Sequence, residues 1–151
     1  MNQIKKIFLL LITAVMMTAT AFARGDDMSK LETMNPQNYF AARAPMLNGL
    51  NLYEYGLYQG LTQKLTMLQI ATFASNFDRP RDEVRKLTRN MDCGISMQTS
   101  NASIKVWGNP NKDGNYERVV IGIGSRGKLT YIYMEGEISA QSLSQLLNIW
   151  M

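Results

Sequence analysis

The stretch from Tyr116 to Glu135 restricts the fold more than any other part of this chain. It reads Y-E-R-V-V-I-G-I-G-S-R-G-K-L-T-Y-I-Y-M-E, two runs rich in β-branched and aromatic residues about the tight connection Gly124–Gly127. A connection this short joins neighbouring strands only in antiparallel fashion, because parallel neighbours need a crossover of about a dozen residues or more. Val119, Val120, Ile121 and Ile123 place apolar side chains on both faces of the first run, the pattern of a central strand.

Further strands and the helices that cover them are read from the rest of the chain. Asn38–Ala44 is a short strand, after which Pro45 opens a helical turn holding Met46, Leu47 and Leu50. In Leu65–Phe73, Leu68, Ile70 and Thr72 alternate with Met67, Gln69 and Ala71, the period of a strand. Asp78 and Pro80 start a helix that runs to about Met91, with Val84, Leu87 and Met91 as its buried stripe and Gly94 as its end. Ile95–Thr99 and Ser103–Trp107 are strands about the Ser100-Asn101 turn, and Gly108–Asn115 is a turn-rich loop. Ser139 caps a last helix whose apolar face is Leu143, Leu146, Leu147 and Trp150. Leu52–Leu61 carries Tyr53, Tyr55 and Tyr58 between glycines, and its period fits helix and strand equally; it is read as loosely helical or looped. The sum is an α+β fold, an antiparallel sheet of about five to six strands with two to three helices packed mainly on one face.

Ahead of this domain lies an export pattern. Lys5 and Lys6 precede the apolar run Ile7–Met17, broken only by Thr13, and Ala21 and Ala23 flank Phe22 in the small-x-small pattern of a cleavage site. The run is about half the ~20 residues that a membrane span requires. Residues 1–23 therefore read as a signal peptide cut after Ala23, residues 24–37 as a flexible lead-in, and residues 38–151 as a single domain. No cysteine lies at the cleavage point to carry a lipid, and no later apolar run approaches spanning length, so the expected location is periplasmic or secreted.

Composition removes most catalytic chemistry. The chain has no histidine, which excludes Ser–His and Cys–His catalysis and histidine metal sites. Its single cysteine, Cys93, makes no intrachain disulfide and no thiolate zinc cage; beside Met91 and Ile95 it reads as a small buried hydrophobe at the end of a helix. Losing Lys5 and Lys6 lowers the net charge from +4 to +2, too small a surplus to indicate nucleic-acid binding.

The segments taken in order resemble the domain-of-unknown-function family 4252, small exported proteins of Gram-negative bacteria. The resemblance is carried by A-P-M-L at Ala44–Leu47, K-L-T-M-L-Q-I at Lys64–Ile70, S-I-K-V-W at Ser103–Trp107, E-R-V-V-I-G-I at Glu117–Ile123 and M-E-G-E-I-S at Met134–Ser139. It spans Asn38 to Asn148. Members often carry a lipoprotein cysteine after the signal, which this sequence lacks. The resemblance implies no activity, cofactor or catalytic residue.

Two features are candidate binding surfaces. Arg81, Arg85 and Arg89 are spaced four apart, with Lys86 nearby: an anion-binding stripe, or more plainly a solvated helix face relieved by Asp82 and Glu83. Tyr53, Tyr55, Tyr58, Tyr131, Tyr133 and Trp107 offer a carbohydrate- or peptide-binding face, with packing beneath a helix the plainer reading for Tyr131 and Tyr133. The loop Asn109–Glu117 echoes a calcium loop, but Val120 stands where the bidentate Glu belongs, and a hairpin of turn formers accounts for it. No metal or cofactor is expected. The favoured function is a non-catalytic interaction or structural module whose partner is an envelope protein or an anionic envelope component. The alternative is a small periplasmic hydrolase or isomerase, marked by a pocket with two carboxylates or by Lys64 or Lys105 facing Glu135. A flat exposed apolar or aromatic patch without a pocket would mark the first.

Overall fold

A computed structural model of the protein describes residues 27–49 and 64–150. Its core is one six-stranded antiparallel sheet: β1 (Asn38–Arg43), β2 (Leu65–Phe73), β3 (Asp92–Gln98), β4 (Ala102–Pro110), β5 (Asn115–Ser125) and β6 (Lys128–Ser139), in the order β1-β2-β6-β5-β4-β3. Helix α1 (Asp78–Leu87) follows β2 and helix α2 (Ala140–Trp150) follows β6, while short 3-10 turns occupy Ser29–Met34 and Met46–Gly49. The export leader at 1–23, the segment Leu52–Leu61 and its three tyrosines lie outside the described residues. No helix among the described residues is long and apolar enough to cross a membrane.

The hairpin read from the sequence pairs Ser125 with Lys128 about Arg126 and Gly127, both in the left-handed region at φ 55° and 72°. Two consecutive positive φ values give the turn twist that matches paired strands, and glycine at the second position adopts it freely. β5 and β6 then lie in the middle of the sheet, and Val119, Val120, Ile121 and Tyr133 are wholly buried.

Both faces of the sheet are covered, which corrects the expectation that the helices gather mainly on one. Odd and even positions of each strand point to opposite faces. One face, with Phe40, Leu68, Ile70, Ile121 and Ile132, packs under Leu143, Leu146 and Leu147 of α2. Ser139 Oγ accepts the Ser142 amide at 3.0 Å and so caps that helix, as the sequence indicates. The other face, with Met67, Ala71, Val120, Tyr131 and Tyr133, packs under Val84 of α1 and under Met28 and Leu31. One apolar stripe per helix covers only part of a sheet this wide, so a strand apolar on both sides needs cover on each.

The segment before β1 is a second correction. Read as a flexible lead-in, it instead holds Met28 and Leu31, 1% and 0% exposed. Gln69, wholly buried in β2, accepts the Met28 amide at 2.9 Å and donates to Ser29 Oγ at 3.1 Å, and Asp27 Oδ1 accepts the Ser29 amide. A buried amide side chain without these partners would cost about 1–3 kcal/mol, so the segment and Gln69 need each other. Cys93 is the third correction. It is exposed on the edge strand β3 rather than buried at a helix end, because α1 stops at Leu87 and β3 begins at Asp92, earlier than the expected Ile95.

Two buried tyrosines, Tyr131 and Tyr133, and the partly buried Tyr39 give the fold a pH signature. Burial raises the phenol pKa of Tyr39, Tyr131 and Tyr133; at Tyr133 the hydrogen bond to Glu135 adds to the rise. Each keeps its proton in the fold at a pH where the unfolded chain has lost it, so the fold binds more protons above the ordinary value of 10.0. Stability is expected to hold up to about pH 10 and then fall, by up to about 1.4 kcal/mol per pH unit for each such tyrosine. Urea unfolding midpoints followed from neutral to alkaline pH check this, and Tyr133→Phe should flatten the alkaline slope.

Candidate anion-binding site

Between α1 and the sheet lies a cleft of about 320 Å³. Its floor follows from strand register. Lys105 of β4, Gly122 of β5 and Tyr131 of β6 stand in one row across the sheet, and Ser103, Gly124 and Leu129 stand in the next. At the same face the central strand therefore carries two glycines in succession, and the missing side chains leave a trough. The rings of Tyr131 and Trp107 lean over it: a Cβ on Gly122 would stand 3.0 Å from Tyr131 Cε1 and 3.3 Å from Trp107 Cζ3. Over Gly124 lies the Ser103 hydroxyl, 2.8 Å from where a Cβ would be.

The roof is one face of α1. Val84, buried, points at the floor between Arg81 and Arg85, which lie one turn apart at the cleft. Burial raises the pKa of the Tyr131 phenol, and the charges of Arg81 and Arg85 oppose that rise, so both guanidiniums act on the floor beneath them. Lys105 brings a third cation from the opposite wall. Among the described residues, no carboxylate lines the cleft. Arg85 pairs with Asp82 at 3.0 Å outside it, but both side chains are well exposed, and such an i, i+3 pair is worth only about 0.3–0.5 kcal/mol. Arg81 lies 5.5 Å from the Phe77 ring centroid, and among the described residues neither Arg81 nor Lys105 has a carboxylate within salt-bridge distance. Three like charges around an apolar floor repel one another, and an anion between them removes that repulsion.

The arginine stripe is thus brought together in part. Arg81 and Arg85 flank the cleft, whereas Arg89 is exposed beyond the helix end and does not line it. Thr88 closes the last i→i−4 bond of the helix, its amide meeting the Val84 carbonyl at 2.9 Å; Arg89 and Met91 then bond only three residues back, and the chain turns away toward β3. Tyr53, Tyr55 and Tyr58 lie outside the described residues. Sequence reasoning missed Lys105 and Ser103 as companions of the arginines. The signal was present in S-I-K-V-W, where Ser103, Lys105 and Trp107 alternate with the buried Ile104 and Val106, and in glycines at two alternate positions of an otherwise bulky strand.

Of the two lysines of the alternative function, Lys105 does not face Glu135, whereas Lys64 adjoins that end of β6, its carbonyl accepting the Glu137 amide at 3.1 Å. Glu135 is four residues beyond Tyr131 along β6, about 13 Å by strand rise, and two strands across from Lys105. It is engaged elsewhere, accepting the Tyr133 hydroxyl, which in turn accepts Arg118 Nε at 3.0 Å. In the Asn109–Glu117 loop, Asn111 Oδ1 accepts the amides of Asp113 and Asn115, which makes it a side-chain-closed turn. Fold and site together define an antiparallel α+β domain with a cationic, carboxylate-free cleft between helix and sheet. Comparisons with known protein families, with curated proteins and with solved structures find no match for the chain.

Proposed function

We propose that the chain is an exported, non-catalytic interaction module of the cell envelope that captures an anionic group in the α1 cleft. One observation carries the reading: Arg81, Arg85 and Lys105 surround an apolar floor with no carboxylate among them. An anionic envelope component is the partner that this charge pattern suits. The basic, apolar and small-residue order of Met1–Ala23 supports export to the periplasm or beyond. Among the described residues the titratable groups of the cleft are these three cations and Tyr131, whose phenol pKa burial raises, a set suited to holding an anion.

Calorimetric titration of the chain beginning at Arg24 with inorganic phosphate and pyrophosphate, at low and high salt, tests the reading. Saturable binding that weakens with salt is expected, with a loss of about tenfold or more in Lys105→Glu, since a hydrogen bond to a charged group is worth about 1.5–3 kcal/mol. Absence of anion binding would overturn it. So would turnover of a nitrophenyl ester or glycoside that disappears in Lys105→Gln, which would establish the hydrolase instead.

A further inference from the structure

The geometry points to a more specific ligand for this cleft: we propose that it takes a phosphomonoester whose ester group is a six-membered ring, the phosphate held by Arg81, Arg85 and Lys105 and the ring laid on the Trp107–Tyr131 floor. The inference rests on the anion-binding reading above and deepens it.

The head group follows from charge balance. A carboxylate or sulfonate brings one negative charge to three cations, whereas a phosphomonoester brings about −1.5 to −2 at neutral pH and three acceptor oxygens. Guanidinium forks on one wall and an ammonium on the other match acceptors spread over a tetrahedral group. The Ser103 hydroxyl, on the Lys105 wall and exposed, adds a neutral donor beside them.

The body of the ligand follows from the floor. Val84, Leu129 and the two aromatic rings are apolar, and a fully solvated inorganic anion makes no use of them. Gly122 and Gly124 keep the floor low beneath the helix, so that the Tyr131 and Trp107 rings settle over Gly122 and the Ser103 hydroxyl over Gly124, and a ligand ring lies on those side chains. Trp107 is only partly buried and packs against the cluster below it, so part of its ring is available to a ligand. A volume of about 320 Å³ sits at the small end of the range for small-molecule pockets, enough for a single ring with its phosphate and not for a long acyl chain. A ring phosphate reaches such a site as a soluble metabolite or as the head of a lipid.

The test is calorimetric titration of the same chain with phenyl phosphate, inorganic phosphate, butyl phosphate and benzoate, together with sedimentation of vesicles containing phosphatidylinositol phosphate. Phenyl phosphate should bind about tenfold or more tighter than inorganic phosphate, butyl phosphate and benzoate, and should quench tryptophan fluorescence. Trp107→Leu should remove that preference, bringing phenyl phosphate down to the affinity of inorganic phosphate, and Lys105→Glu should weaken both phosphates. Vesicle sedimentation together with phenyl phosphate binding assigns the head of a lipid as the source; phenyl phosphate binding alone assigns a soluble ligand. Equal affinity for phenyl and inorganic phosphate, or for phenyl and butyl phosphate, overturns the ring while leaving the anion cleft standing. Benzoate bound as tightly as phenyl phosphate overturns the phosphate. Vesicles bound by a chain that ignores phenyl phosphate overturn the proposal in favour of a membrane-surface contact, and no binding of any anion overturns both readings.

Discussion

Gly136→Ala is expected to destabilise the fold by about 3 kcal/mol or more, or to prevent its accumulation altogether. Gly136 has φ 151°, in the region that side-chain-bearing residues rarely enter. A Cβ there would collide with the Lys64 carbonyl oxygen and stand 2.8 Å from Leu65 Cα. Both obstacles are backbone of the neighbouring strand, so no rotamer change relieves them. The pairing of β2 with β6 shifts register between Leu65 and Met67, opposite this glycine, and the close approach of the chains depends on the missing side chain. Gly127→Ala is the control. Its φ of 72° carries the ordinary left-handed penalty of about 1–2 kcal/mol, but nothing lies within 4 Å of its Cβ position. Urea denaturation of both variants decides the matter: similar losses would mean that the contact with β2 is not what requires glycine at 136.

Leu31→Ala is expected to cost about 2–5 kcal/mol, the range for emptying a fully buried aliphatic site. Leu31 is 0% exposed in the same cluster as Phe73, Val84 and Tyr133, so its loss opens a cavity beneath α1. Met46→Ala, at a side chain 49% exposed, should stay within about 0.5 kcal/mol. The same denaturation measurement separates the two. A Leu31→Ala chain as stable as the parent would return residues 27–34 to the status of a loose extension. Because Val84 also roofs the cleft, Leu31→Ala should weaken anion binding only through global unfolding, with the affinity of the folded fraction unchanged.

Strands were legible wherever side-chain alternation or a demanding turn spoke for itself. Leu65–Phe73 was bounded correctly from its period, and the β5–β6 hairpin from Gly127 and the apolar runs on either side. The helix over Asp78–Leu87 was legible from Val84 and its neighbours, but its end was not, because beyond Thr88 the amides of Arg89 and Met91 shift to bonds three residues back and no local residue type announces that change. Gly94, taken as the terminator, sits instead in β3, where the pairing with β4 shifts register. Cys93 was misplaced for the same reason: about four residues of helix too many turned an edge-strand thiol into a core one. The lead-in was misread because Met28 and Leu31 are sparse among polar neighbours, and only their contact with Gln69, about 40 residues away, accounts for their burial.

The candidate site was half legible. Arg81 and Arg85 stood out by spacing, while the floor beneath them did not, since Lys105, Gly122 and Tyr131 come from three strands and meet only through register. From local order alone, periodicity, turn residues and caps determined that the chain forms an antiparallel α+β sheet, and composition removed histidine chemistry from it. Which helix covers which face, where α1 stops, and which cations gather over two glycines were decided by the tertiary structure. Those depend on contacts between residues tens of positions apart, whose energies carry no signature in any single segment.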